Sequence, residues 1–196
     1  MKKKLRCLFL GYDNKKTKLI STLKKKNCLV KNFNGDLNRL NLEKYDFCIS
    51  FGYRKIINKE NLKKFKRKPI NLHLSYLPYN RGAHPIFWSL VENTPSGVTI
   101  HEISNSLDKG KILFQKKVKI NKRKHTFKSA YDHLFRLIEN LFIKHVNSII
   151  SKKYHAKKQV GKGSFHFKLD LPKSLNTWNF NIAKFIAKQK KLAQIS

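Results

Sequence analysis

The sequence predicts an α/β protein built on a mostly parallel, twisted sheet. Two observations carry that class. Short apolar runs alternate with a helical stretch through about the first fifty residues, the strand–helix–strand rhythm of parallel sheets and their crossovers. A hydrophobic share of 40% and an aromatic share of 12% supply a core for one domain, or one domain plus an appendage, and argue against disorder.

Residues 5–10 read as the first strand, ended by the turn Gly11-Tyr12-Asp13-Asn14. The start Met1-Lys2-Lys3-Lys4 is basic like a secretion signal. The apolar run behind it is too short for a signal core, so a cytoplasmic protein is expected. A helix is predicted over 14–26, with Leu19, Ile20 and Leu23 inward. Strands follow at 28–33 and 45–50, the latter closed by Gly52. No Gly-x-Gly-x-x-Gly follows the first strand, which leaves a dinucleotide site without support. Residues 51–65 read as a loop and a short helix. Pro69-Ile70-Asn71-Leu72 is a short buried strand that brings Asn71 and His73 to its C-terminal end, beside a loop rich in Pro, Asn and Gly. Open α/β sheets keep their sites there. A helix over 84–92, a turn at 94–97 and strands at 98–103 and 111–120 come next. The longest helix spans 126–151, with Phe127, Tyr131, Leu134, Ile138, Leu141, Phe142 and Ile149 at helical spacing. A terminal helix over 175–194, carrying Trp178, Phe180, Ile182, Phe185 and Ile186, packs on the domain or on a partner subunit, so a homodimer is one expectation.

Lys and Arg number 44 against 11 Asp and Glu, a net charge of +33. Such a balance suits nucleic acid, anionic lipid or an anionic small molecule. The lysines are scattered through the chain, so compositional bias explains part of the charge, and specific nucleic-acid binding is not expected. No apolar run is long enough to span a membrane. Cys7, Cys28 and Cys48 are widely spaced within apolar runs, which predicts buried thiols and no metal or disulfide framework.

Asn71, His73 and Asp108 together suit transfer of an acyl group to an amine. Asn71 and, when charged, His73 can donate hydrogen bonds to the negative oxygen that forms. Asp108 can hold the imidazole and take a proton from the amine, directly or through water. A substrate that brings its own amine needs no Ser or Cys nucleophile on the protein.

Asn-x-His followed by Ser-x-Leu-Pro and Arg-Gly (residues 71–82), then Gly-Val-Thr-x-His (97–101) and Asp-x-Gly-x-Ile-x-x-Gln (108–115), resembles the folate-dependent formyltransferases. These act on methionyl-tRNA, glycinamide ribonucleotide and sugar nucleotides. The run from Ser75 to Trp88 is most similar to the small sugar N-formyltransferases. The resemblance implies a Rossmann-like three-layer sandwich, the formyltransferase fold, as a catalytic domain over 1–152 with a C-terminal extension over 153–196. It implies a catalytic trio of Asn71, His73 and Asp108. Tyr53, Ile56, Ile57, Asn105 and Leu107 would line the site of N10-formyltetrahydrofolate, with no metal. Arg81, His101 and Gln115 would serve the acceptor, a small anionic amine best met by a nucleotide-linked amino sugar; the alternatives are that Arg81 anchors its loop, the reading slightly favoured, and that Gln115 bonds backbone. The turn-rich 159–166 stretch matches a Gly-x-x-His element that such enzymes carry near the acceptor. The chain departs from the family pattern at Ile86 and at Asp108-Lys109-Gly110-Lys111. The tRNA enzymes carry a C-terminal barrel that this sequence lacks, which places tRNA and glycinamide ribonucleotide second as acceptors. A non-catalytic basic nucleic-acid-binding module is the rival from another class.

Overall fold

The computed structural model describes residues 3–194; the basic Met1-Lys2 start lies outside them. The elements run β1 (Arg6–Gly11), α1 (Leu19–Lys25), β2 (Leu29–Phe33), β3 (Phe47–Phe51), α2 (Lys59–Lys63), β4 (Ile70–His73), β5 (Arg81–Gly82), α3 (Pro85–Val91), β6 (Gly97–Glu102), β7 (Ile112–Lys117), α4 (Phe127–Ser151), β8 (Phe165–His166) and α5 (Ile182–Ala193). The main sheet has six strands in the order β2-β1-β3-β4-β6-β7. β2, β1, β3 and β4 pair in parallel, and β6 is antiparallel to both β4 and β7. The sheet is therefore mostly parallel, as the sequence predicts.

β1 is apolar at consecutive positions because both its faces are covered, as is usual for a central parallel strand. Cys7 and Phe9 join a large core under α1, α3, α4 and α5, while Leu8 and Leu10 join a smaller one with Leu37, Leu42, Cys48, Ile57 and Phe65. Helices on both faces are expected, but the smaller core is closed largely by one-turn 3-10 helices at Leu37–Arg39 and Leu42–Lys44 and by the short α2. These caps leave one end of that face open above β3 and β4. The three cysteines are buried and unpaired.

Two helices begin later than their sequence patterns suggest. α1 starts at Leu19 because the Asp13 carboxylate accepts from the backbone N–H of Lys15 and Lys16 and turns the chain first. α5 starts at Ile182, not at 175, because Asn181 caps it: its side chain accepts from Lys184 N–H and donates to the Arg123 carbonyl. Trp178 and Phe180 thus precede the helix, and their carbonyls accept from the backbone N–H groups of Lys128 and Phe127. Ile182 and Phe185 are buried, the latter against the rings of Phe87 and Phe127, so the end of the described chain completes the large core. In α4 the predicted stripe is inward, except that Tyr131 is half-buried and bonds the Tyr12 hydroxyl. One pairing has no signal in the hydrophobic pattern: β5 and β8 form a separate two-stranded sheet. Among the described residues, no helix is long and apolar enough to cross a membrane.

Candidate active site

The open end of the sheet forms a cleft of about 430 Å³, a usual size for a small-ligand site. Its floor comes from β4. Along this strand Ile70 and Leu72 point into the large core. Asn71 and His73 therefore share the opposite face. β6 runs antiparallel alongside, with Asn71 opposite His101 and His73 opposite Thr99. The register places three polar side chains together: Asn71 Nδ2 lies 3.3 Å from His101 Nε2, and the His73 and His101 rings meet edge to face at 6.0 Å.

Asp108 comes from the loop between β6 and β7. Its backbone is left-handed, at φ 51°. Its Oδ2 accepts the Gly82 N–H at 2.9 Å and lies 3.7 Å from His73 Nδ1, and its Oδ1 lies 3.5 Å from His101 Nε2. The trio and His101 thus form one cluster. Gly110 lets the loop return close to β6: a Cβ there would sit 1.6 Å from the Glu102 carbonyl oxygen.

The environment sets the charges. Burial alone would raise the Asp108 carboxyl, but the charge of His73, the hydrogen bond and charge of His101 and the Gly82 N–H outweigh it and hold the carboxyl well below its usual range. Burial pushes His73 below the ordinary imidazole value of 6.5; the Asp108 charge opposes this, His101 adds to it and the Asn80 carbonyl opposes it. At neutral pH the resting ring is therefore neutral. A charge on it is favoured once a negative oxygen develops nearby. The Nε2–H donates to the Asn80 carbonyl at 3.1 Å, so Nδ1 is the nitrogen facing Asp108.

Tyr53, Ile56, Ile57, Asn105 and Leu107 all line the same cleft as the trio. Tyr53 uses its hydroxyl to bond the Gly35 carbonyl at 2.8 Å and presents its ring. Ile56 is 84% exposed and Leu107 51%, apolar walls left uncovered at the cleft. Arg81 and Gln115 lie outside it. Arg81 is buried and donates to Gln159 Oε1 and the Lys162 carbonyl, which makes it a loop anchor. Gln115 donates to the Leu77 carbonyl at 2.7 Å and to Thr99 Oγ1 at 2.9 Å, bracing the loop after β4 from behind.

Sequence reasoning misses the residue that joins these parts, Gln159. Its Nε2 donates to the carbonyls of Asp108 and Gly110 at 2.7 and 2.8 Å, and its Oε1 accepts from Arg81 Nη2 at 2.8 Å. Asn80 is also missed. It is fully buried and left-handed, with its side chain on Thr94 and Ser164. Neither has a local signal beyond its place in a turn-rich stretch.

Residues 15–146 match the model of the formyl transferase family. The chain belongs to that family. Among solved structures it is similar to the formyltransferase PseJ from Anoxybacillus kamchatkensis, solved with UDP-4,6-dideoxy-4-formamido-L-AltNAc and tetrahydrofolate. The two superpose with a TM-score of 0.84 at 36% identity, covering 91% of this chain and 96% of the other. The bifunctional polymyxin resistance protein ArnA of Wigglesworthia glossinidia brevipalpis is 36% identical over 138 residues, 69% of this chain and 21% of that protein. The methionyl-tRNA formyltransferase of Thermodesulfovibrio yellowstonii is 46% identical over 91 residues, 46% of this chain and 29% of that protein. The chain thus spans less than a third of either of these curated relatives.

Proposed function

We propose that the protein is an N-formyltransferase acting on the primary amine of a nucleotide-linked amino sugar, with N10-formyltetrahydrofolate as donor. The observation that carries this reading is the convergence of Asn71, His73 and Asp108 at the end of the cleft whose walls include exposed Ile56 and Leu107. Apolar walls beside convergent polar groups suit a flat heteroaromatic ligand. PseJ, similar over nearly its whole length, was solved with a formamido sugar nucleotide and tetrahydrofolate.

The donor supplies an activated formyl group, whose bond to N10 breaks after the acceptor nitrogen has bonded to the formyl carbon. Asn71 carries two amide N–H donors. One faces His101, and the other is available to the oxygen that becomes negative. The proton that the acceptor nitrogen loses is shared between Asp108 and His73 Nδ1, which lie 3.7 Å apart. With Nε2–H held by the Asn80 carbonyl, the Nδ1–H of a protonated His73 then donates to the oxyanion, and this proton passes on to the departing N10. Asp108, with its depressed proton affinity, relays the proton rather than keeping it. His101 Nδ1–H donates to the Glu102 carbonyl at 2.8 Å, which fixes the ring so that Nε2 faces Asn71 and Asp108.

The test is turnover with N10-formyltetrahydrofolate, followed by tetrahydrofolate release, comparing nucleotide-linked amino sugars with initiator-type aminoacyl-tRNA at about physiological ionic strength. Sugar turnover is the expected result, with only modest salt dependence, because few phosphates are contacted. Efficient formylation of the tRNA, with none of the sugars, would reassign the acceptor.

A further inference from the structure

The Asp108 carboxylate accepts from the Gly82 N–H at 2.9 Å, and that donor sits in the smaller of the two sheets. β5 and β8 are two residues each, with Arg81 opposite Phe165 and Gly82 opposite His166. The N–H groups of Arg81 and Ala83 donate across this pair to the Ser164 and His166 carbonyls, at 3.0 and 2.9 Å. The N–H between them, that of Gly82, is left for Asp108. Gly82 is left-handed, at φ 86°, and a Cβ on it would lie 2.4 Å from the His166 carbonyl oxygen. The aim of its N–H therefore follows the position of His166.

So short a strand pair is marginal by itself in water. Its Ser164 end is tied to Asn80 and Pro78. At the other end Phe165 and Phe167 are 40% and 65% exposed, and the His166 ring reaches inward to α3. It stacks on the Trp88 indole, with centroids 4.1 Å and planes 7° apart, and its Nε2 lies 3.2 Å from Glu92 Oε1. Trp88 is on α3 and Glu92 caps the end of that helix, which the Phe87 ring joins to Phe127 and Phe185 in the large core. We propose that His166 is a positioning residue: its stack on Trp88 ties β8 to the core and so aims the Gly82 N–H that holds Asp108. The consequence for turnover rests on the proposed formyl transfer; the tether itself does not.

Three measurements on the full chain test it: exchange of the Gly82 amide hydrogen, titration of the His73 imidazole by NMR, and kcat. In His166→Ala the Gly82 amide should exchange roughly three- to tenfold faster, the scale of one lost aromatic stack. His73 should titrate lower than in the wild type, because the Asp108 charge that favours its protonation is less well placed. kcat should fall by a similar factor, with tetrahydrofolate affinity unchanged, since His166 does not line the cleft. His166→Phe keeps a flat ring on Trp88 and should restore most of all three. In an Asp108→Asn background, His166→Ala should cost no further kcat, because both act through one carboxylate. Wild-type Gly82 exchange and His73 titration in His166→Ala overturn the tether. Equal acceleration of the Phe9 amide, in the centre of the main sheet, makes the loss global and also overturns it. No rescue by His166→Phe overturns the stacking role. A wild type without turnover counts instead against the formyl-transfer reading, and the exchange and titration results still decide the tether.

Discussion

The two halves of the active cluster are built by different means. Asn71 and His73 stand on β4, whose alternate residues Ile70 and Leu72 are core and whose register against β6 aligns Asn71 with His101. Asp108 stands on a loop whose neighbours Leu107 and Lys109 are exposed. That loop is held by polar bonds from far along the chain, the Gly82 N–H and the Gln159 amide. Packing and a strand ladder fix the first half as a by-product of folding. A handful of hydrogen bonds fixes the second. The strand half should therefore be rigid, and the loop half can be loosened while the domain stays folded.

The largest expected effect removes the chemistry from either half. His73→Ala and Asp108→Asn should each lower kcat roughly 100- to 1,000-fold, the usual scale for losing one group that stabilises the transition state. Circular dichroism should show that both variants keep the fold. Near-normal turnover by His73→Ala would refute the mechanism.

A smaller effect separates the halves. Gln159→Leu removes the Gln159 partner from three groups: the carbonyls of Asp108 and Gly110, and the Arg81 guanidinium, which keeps only the Lys162 carbonyl. The expected outcome is a loss in kcat of roughly 10- to 100-fold through misplacement of Asp108. Tetrahydrofolate affinity should change little, because Gln159 does not line the cleft. Gln159→Glu keeps the acceptor to Arg81 but loses both donors to the loop, so it should resemble Gln159→Leu. A Gln159→Glu variant with wild-type kcat would show that the loop needs no such support.

The same contrast explains what the sequence reveals. The strand half is readable because alternation places Asn71 and His73 on one face and because motif spacing marks them. Asp108 is marked by its motif alone, and nothing local predicts its left-handed backbone. Gln159, Asn80 and the β5–β8 pairing are invisible to periodicity, since each works through hydrogen bonds between distant segments. Arg81 is open between two readings, a phosphate contact and a loop anchor, for the same reason. A lone Arg in a loop suits either a ligand or an anchor, and only the distant Gln159 shows what its guanidinium holds. The late start of α5 also depends on a cap, Asn181, that the apolar pattern of Trp178 and Phe180 obscures.

The smallest effect is on stability, and it distinguishes the halves by pH. His73 is pushed below 6.5 mainly by burial, so the unfolded chain binds this proton more readily than the folded one. Its contribution is complete above pH 6.5 and is lost as pH falls through the folded value. Asp108 is also depressed, from 3.8. Its contribution stays complete above that value and declines only in stronger acid. Between about pH 7.5 and 5.5, then, only the strand half should respond. His84 and His145 are depressed mainly by burial as well, and their slope is common to every variant. Wild-type protein should lose melting temperature across this window, and His73→Gln should lose less. Asp108→Asn should lose at least as much as wild type, because the negative charge that favours His73 protonation has gone. Melting curves of the three proteins at the two pH values provide the check. A flattened slope in Asp108→Asn with an unchanged one in His73→Gln would place the titrating group on the loop and reverse the assignment.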